Sequence, residues 1–416
     1  MSAIPTRPSG ERYATSVAVP SLWLSMAVMS LLGPPALADR SDSGRTGARS
    51  RPIQQIVAQD DKGGSPIERP RERPAGPEDP LRLCRERGVA WLAKDILAGG
   101  RVSLGEEAHA APVGVTSLAA LALMAGGNTT NRGPHQAALT RVIDYLLDHS
   151  AGEDEPHPGF IATRGDLQSR NHGHGLALLA LTQAYSLSPG SPRGKRLAVA
   201  IRAGVRCIEK AQTTDGGWYY TPDPVDLHEG SVTVCLLQAL RGARNIGFEV
   251  DGDVIERAVA YVRSLQDDQG GFMYSHQQPQ TSVALTGACL STLHAIGVYD
   301  GRVVEDGYLY VWRKLALREE GQAQGRRSLD ARYPFYERFY LAQALWQHPD
   351  EKVFRSWAEK ETRLVLLSQA ADGSWRDERF DTAGRGIVGR YGSAYATAMN
   401  VLYLSVPEGA LPIFQR

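Results

Sequence analysis

The sequence predicts an all-α chain folded as an (α/α)6 toroid, a ring of six helical hairpins. Three observations lead there: a turn that is spelled three times, two alternating kinds of helix, and a regular interval between equivalent positions. The turn runs Gln, acidic residue, Gly, aromatic. It appears as Gln212 to Trp218 in AQTTDGGWYY, as Gln266 to Phe272 in LQDDQGGFMY, and as Gln369 to Trp375 in SQAADGSWRD. The Asp-Gly and Gly-Gly pairs supply the positive φ angles of a tight reversal.

The helix before each turn is amphipathic. In GKRLAVAIRAGVRCIEKAQ, Leu197, Ile201, Val205 and Ile208 recur at helical spacing, and in DVIERAVAYVRSLQ so do Ile255, Val259, Val262 and Leu265. The helix after each turn is apolar nearly all round, as in SVTVCLLQALRGA and SVALTGACLSTLHAIG. A helix hydrophobic on every face belongs in an interior. Each unit therefore has one peripheral and one enclosed helix. Leu121, Leu181, Leu240, Leu290, Leu345 and Leu402 mark equivalent places in six enclosed helices. The interval from Gln266 to Gln369 is nearly twice that from Gln212 to Gln266, so a unit with a degenerate turn lies between, around 317–327. Two further degenerate units precede Gln212, with Pro156 to Phe160 (PHPGF) as a worn turn. A closed ring suits these units better than an open solenoid, which would carry polar capping repeats.

Ahead of the ring, residues 17–32 form the one long apolar run, short for a bilayer span. Arg7 and Arg12 precede it and Ala36-Leu37-Ala38 follows it, the pattern of a cleaved secretory signal over 1–38. Residues 39–82 are rich in Arg, Pro, Gly, Ser and Asp, a composition that buries too little apolar surface to offset ordering entropy. They read as a disordered linker through which a protein partner could attach, ahead of a toroid domain over 83–416. The expected location is thus the periplasm or exterior, with no transmembrane segment once the signal is removed.

Basic and acidic residues number 46 each, so nothing in the charge balance marks a nucleic-acid partner. Cys84, Cys207, Cys235 and Cys289 show no CxxC spacing and read as buried thiols, although an exported chain could pair two of them.

The Gln-x-x-Asp-Gly-x-Trp element resembles the QW motif of the terpenoid cyclase and protein prenyltransferase superfamily, whose fold is an α/α toroid. Gln212/Trp218 and Gln369/Trp375 match it well and Gln266/Phe272 is a conservative variant. In that family the Gln caps a neighbouring outer helix and the aromatic ring stacks on it, so these six residues are expected to clasp outer helices together. Over 165–416 the chain is similar to exported bacterial proteins of planctomycete type with prenyltransferase and squalene-oxidase repeats. That likeness rests on Gly173-His174-Gly175-Leu176-Ala177, on EGSVTVCLLQALRGARNIG from Glu229, and on the tail Leu411 to Arg416. That group has Asp where this chain has Glu229 and Gly-His where it has Glu337-Arg338, and it shares His174.

The chemistry of the better-known relatives does not carry over. The cyclase D-x-D-D motif is absent: Asp251-Gly252-Asp253 opens an outer helix and Asp267-Asp268 lies in a turn. The aromatic content, 7%, is thin for stabilising carbocations. The D-x-C and distant His of the prenyltransferase zinc site are absent, since Glu229 stands too far before Cys235. A Cys-Gly-Glu-Gln thioester element is missing, and GRGIVG (384–389) has no βαβ setting for a dinucleotide.

Residues just before and within the first turn of the enclosed helices point at the centre of such a ring. They are Asn171, His172 and His174; His228 and Glu229; His276 and Gln280; Tyr336, Glu337, Arg338 and Tyr340; Arg390, Tyr391 and Tyr395. Together they are the expected cavity lining, with Glu229, His174, His228 and Glu337 as catalytic candidates. Plainer roles compete: His172 and His174 flank Gly173 and suit a cap, Glu229 suits a helix N-terminus, Tyr336 and Tyr340 suit packing, and Glu337 with Arg338 suits an internal ion pair. The histidines lack a short-range ligand spacing, so no metal and no cofactor is expected. Three function classes stay open. The first is a module binding an apolar or extended polymeric ligand, isoprenoid-like or glycan. The second is a terpenoid cyclase or transferase, and the third a carbohydrate-active hydrolase or lyase using Glu229 and Glu337.

Overall fold

The computed structural model describes residues 79–99, 111–166, 169–324, 333–376, 378–380, 386–388 and 391–414. The expected signal segment 1–38 and most of the linker 39–82 lie outside them, as do Arg390 and residues 325–327 of the expected degenerate turn.

Among the described residues, twelve α-helices alternate between two rings. The outer ones are α1 (Pro80–Ala98), α3 (Gln136–Asp148), α5 (Pro192–Lys210), α7 (Gly252–Ser264), α9 (Arg302–Ala323) and α11 (Glu351–Ser368). The inner ones are α2 (Pro112–Ala125), α4 (Arg170–Leu187), α6 (Gly230–Asn245), α8 (Val283–Ala295), α10 (Pro334–Trp346) and α12 (Gly392–Ser405). Each inner helix packs on the next, and α12 packs back on α2, so the inner ring closes. A short antiparallel hairpin, β1 (Glu378–Phe380) with β2 (Gly386–Val388), precedes α12.

The helices form where the apolar pattern puts them. α2 buries every residue from Val113 to Ala125 and α8 every residue from Val283 to His294. The six marker leucines are all buried. α5 buries Leu197, Ile201, Val205 and Ile208 while Arg196 and Arg206 stay exposed. Asp79, Ser191, Asp251, Ser282 and Asp350 cap their helices by accepting a backbone N–H of the first turn.

The repeated turn joins neighbouring units. Gln212 donates to the Gly216 carbonyl of its own turn at 2.9 Å and to the Val254 carbonyl in the first turn of α7 at 2.8 Å. Gln266 does the same to Gly270 and to Val303 of α9. Gln369 donates to Gly373 and to Cys84 of α1, which ties the last unit to the first. Here the glutamine amide serves helix carbonyls, whereas a cap at a helix N-terminus would accept from the orphan N–H groups. The aromatic ring turns inward instead: the Trp218 and Trp375 indoles donate to the Ile208 and Val365 carbonyls of their own outer helices. Their backbone N–H groups donate to Thr233 and Thr397 hydroxyls on the inner helices, and Phe272 donates likewise to Thr286.

Gly159, Gly216, Gly270 and Gly373 hold positive φ in four of these turns. Each lies against the backbone of the next outer helix, at Ala203, Arg257, Asp306 and Arg87 respectively. The worn turn PHPGF thus keeps the repeat's geometry after losing its Gln and Asp. A Cβ on Gly270 would sit 2.2 Å from the Asp306 carbonyl oxygen. Gly270→Ala is therefore expected to cost about 2 kcal/mol or more in a urea melt, while an alanine at exposed Gly247, where nothing lies within 4 Å, pays only for its φ of 89°.

In the fifth unit α9 runs unbroken through Ala323, so residues 317–323 extend the outer helix. The four cysteines are buried and free of disulfides. The tail folds back on the ring, with Leu411 and Phe414 buried and the Phe414 ring 6.1 Å from that of Phe339 on α10.

Candidate functional site

The N-terminal ends of the inner helices are held by the segments that leave each turn. The Tyr220 carbonyl accepts from the Asn171 N–H at the start of α4, and the Asn171 amide donates to the Tyr219 and Thr221 carbonyls. In the next unit the Tyr274 carbonyl accepts from the Gly230 N–H at the start of α6. Tyr220 and Tyr274 are equivalent, each two residues past its turn aromatic, and their hydroxyls are hydrogen-bonded to one another.

Glu229 stands beside them. Its carboxylate accepts from the Ser231 and Val232 N–H groups at 2.7 Å each, and from the Ser231 hydroxyl at 2.8 Å. It is the N-cap of α6 and is fully buried. Burial pushes its pKa up to about 7, against the opposing pull of the Ser231 and Val232 hydrogen bonds.

Across the ring, α10 brings Tyr336 and Tyr340 and α12 brings Tyr395. The Tyr336 and Tyr340 rings lie 4.5 Å apart, and the Tyr395 ring lies 5.2 Å from Tyr391 and 5.9 Å from Phe335. Burial raises the pKa of Tyr336, and the charges of Tyr340, Glu229, Cys289 and Cys235 raise it further. Helices α6, α8 and α10 therefore converge at this level. The Tyr336 hydroxyl is buried without a hydrogen-bond partner. Cys235 is pushed up to about 12 by burial and then by Glu229, and Cys289 is raised by the same causes, so both thiols stay protonated and poorly nucleophilic. His172, Tyr220, Tyr274, Phe335, Tyr336 and Tyr391, all at or near the starts of the inner helices, each keep part of their surface accessible.

The histidines do not gather there as expected. His174 faces α5: its Nδ1 accepts from the Ile161 N–H at 3.1 Å, its Nε2 lies 3.4 Å from the Gly204 carbonyl, and its ring packs on Phe160. His228 turns outward, between the Tyr261 hydroxyl and the Asp215 carboxylate, 2.9 Å from each. His276 is exposed and bonds Ser264. His172 alone of the four stays at the rim, with Nδ1 2.6 Å from the Ser169 hydroxyl. Among the described residues no group of three or more His, Cys, Asp or Glu is placed to hold a metal ion.

The expected Glu337–Arg338 ion pair is replaced by two others. Residues adjacent on a helix point in different directions, so Glu337 pairs bidentately with Arg318 of α9, at 2.5 and 2.9 Å. Arg338 pairs with Glu361 of α11 at 2.9 Å and donates to Asn400 of α12 at 3.0 Å. Glu337 thus faces the outer ring, and Arg338 bridges the outer α11 and the inner α12. The Gln280 carbonyl accepts from the Tyr274 N–H, a backbone role only. GRGIVG contributes β2 of the antiparallel hairpin.

Tyr220 and Tyr274 escaped the expected lining although the repeat marks them, and so did the threonines that receive the turn N–H groups. Their signal is positional: the same residue type recurs at the same offset from the turn aromatic.

The pKa shifts set opposed pH dependences. Native Glu229 keeps its proton up to about 7 and the unfolded chain releases it near 4.5, so its contribution is present below 4.5 and lost as pH rises through about 7. Burial lowers His172 and His174 to about 4, against 6.5 unfolded, so their contribution is present above 6.5 and lost as pH falls through about 4. Glu229→Gln is expected to steepen the gain in stability between pH 4.5 and 7, read from urea melts across that range. An unchanged slope would rule out the raised carboxyl.

No protein-family model matches the chain, and no curated protein does. Among solved structures it is similar to cellobiose 2-epimerase from Spirochaeta thermophila DSM 6192, at 16% identity and a TM-score of 0.54, over 78% of this chain and 96% of that one. It is also similar to a family 76 glycoside hydrolase from a bovine Bacteroides thetaiotaomicron strain, at 10% identity and a TM-score of 0.55, over 80% of this chain and 78% of that one. A type II terpene cyclase from Scytonema aligns at 14% identity and a TM-score of 0.48, over 78% of this chain and 97% of that one. With the closed double ring of helices, the first two likenesses show the fold: the chain is an α/α toroid.

Proposed function

We propose that the protein is an exported binding protein, which takes an apolar or extended polymeric ligand at the aromatic rim of its inner helices and performs no catalysis there. One observation carries this: the acidic and most of the histidine candidates are committed to the scaffold, while aromatic surface remains accessible. Glu229 caps α6, Glu337 is bound to Arg318, and His174 and His228 face the outer ring. A hydrolase needs one carboxyl to give a proton and another to attack or activate water, and neither Glu229 nor Glu337 has a free oxygen for that work. A cyclase acid would have to leave the α6 N-terminus. Export rests on Arg7, Arg12, the apolar run and Ala36-Leu37-Ala38, and no helix among the described residues is long and apolar enough to cross a membrane. The linker remains the expected point of attachment for a protein partner.

The names of the two closer neighbours, an epimerase of cellobiose and a glycoside hydrolase, make glycan one ligand class to test; the aromatic rim makes isoprenoid the other. The test titrates the full chain with farnesol and with cellohexaose by calorimetry, then looks for product by mass spectrometry. Saturable binding of one probe with no product is the expected result. Turnover of either, or no binding of both, would overturn the proposal.

A further inference from the structure

A cavity lies at the C-terminal ends of inner helices. It is walled by the C-terminal parts of α6, α8 and α10 and by the returning tail, and holds about 260 Å³. Arg241 of α6 lines it. The Arg241 Nε is buried with no hydrogen-bond partner, and no ion pair reaches its guanidinium among the described residues. Arg241 is only partly buried, and none of the residues lining this cavity is acidic, so the lining offers its guanidinium no carboxylate. His294 adds no charge: its ring lies between the Val298 carbonyl and the Tyr308 hydroxyl, and burial lowers its pKa. Gln238 and Gln343 add amides to the lining, and Trp346 and Phe414 add flat apolar rings.

We propose that this cavity binds a small organic carboxylate bearing a flat apolar group, with the carboxylate on Arg241 and the flat group between Trp346 and Phe414. The guanidinium fork matches a carboxylate edge with two parallel hydrogen bonds. The volume is below that of pockets for drug-sized ligands, which limits the ligand to a single ring or a short chain. Three helix C-termini end around the cavity, each partially negative. They disfavour a doubly charged anion relative to a singly charged one. The site is independent of the aromatic rim, and its Arg241 is a residue that the expected lining did not include.

The full chain is titrated by calorimetry with benzoate, with benzamide as the uncharged isostere and with inorganic phosphate. Benzoate is expected to bind saturably, at least about tenfold more tightly than either comparison probe. Arg241→Gln is expected to weaken benzoate by about tenfold or more, and Arg241→Lys, which keeps the charge without the fork, by less. Because the side chain has no partner to lose, Arg241→Gln should leave the melting temperature unchanged or raise it, and benzoate should raise it only in the wild type. Equal benzoate binding in Arg241→Gln, no saturable benzoate binding in the wild type, or phosphate binding as tight as benzoate would overturn the proposal. So would a marked fall in the melting temperature of Arg241→Gln, since that would assign Arg241 to the scaffold.

Discussion

Trp375→Ala is expected to cost about 3–5 kcal/mol of stability, a large fraction of what holds a domain folded. The indole is 2% exposed, and it fills the seam where the sixth unit meets the first. It packs so tightly that a Cβ on Gly88 of α1 would lie 2.8 Å from its ring. Its indole N–H donates to Val365 and its backbone N–H to Thr397. Around it, Gln369 donates to Cys84, Arg87 donates to the Ala370 and Ala371 carbonyls, and the Trp91 indole donates to Asp372. Truncation leaves a cavity and an orphaned Val365 carbonyl at the one joint that closes the ring. Trp375→Phe keeps most of the packing and is expected to lose about 1–2 kcal/mol, chiefly the hydrogen bond. Equilibrium urea denaturation measures both. A loss under about 1 kcal/mol for the alanine variant would mean that the seam does not hold the ring.

Glu337→Ala is expected to lose about 3–5 kcal/mol, because it takes a bidentate carboxylate away from the mostly buried Arg318 guanidinium. The two side chains are 13% and 11% exposed, so solvent screens the pair little. The companion change separates structure from chemistry. Arg318→Met combined with Glu337→Leu replaces the pair with apolar groups of similar length, and is expected to recover most of the loss. A carboxylate kept for catalysis would behave otherwise: its removal would leave stability unchanged or improved. Urea melts of the single and double variants decide the matter, and a stable Glu337→Ala would return Glu337 to the list of catalytic candidates.

The ring was legible because it is periodic. A Gln, a Gly and an aromatic at fixed offsets, with two helix types in alternation, give the number of units and the order of inner and outer helices. Even the worn turn at Gly159 could be found, since positive φ against a neighbouring backbone admits little besides glycine. Side-chain direction was not legible. His174 and His228 sit where inner helices begin, and position alone sends them to the axis. Their rings go outward because backbone groups at Ile161 and Gly204, and the Asp215 and Tyr261 side chains, lie there to receive them. Glu337 and Arg338 are neighbours in sequence, but helix geometry gives each its own partner on a different outer helix. Conversely, Tyr220 was hidden inside the turn that looked purely structural, and Arg241 inside an inner helix that looked purely apolar. Which polar groups are left without a partner, as the Tyr336 hydroxyl and the Arg241 Nε are, is visible only once the partners are placed.

The proposed binding role is tested most directly by native mass spectrometry of the wild type beside a Tyr220→Ala, Tyr336→Ala double variant, both purified from the cells that make them and extracted for lipid and glycan. The expected result is one co-purifying isoprenoid or glycan species in the wild type, reduced about tenfold in the variant while its helical circular dichroism is retained. Equal retention of that species by both proteins, or its absence from the wild type, would contradict a binding role for the aromatic rim.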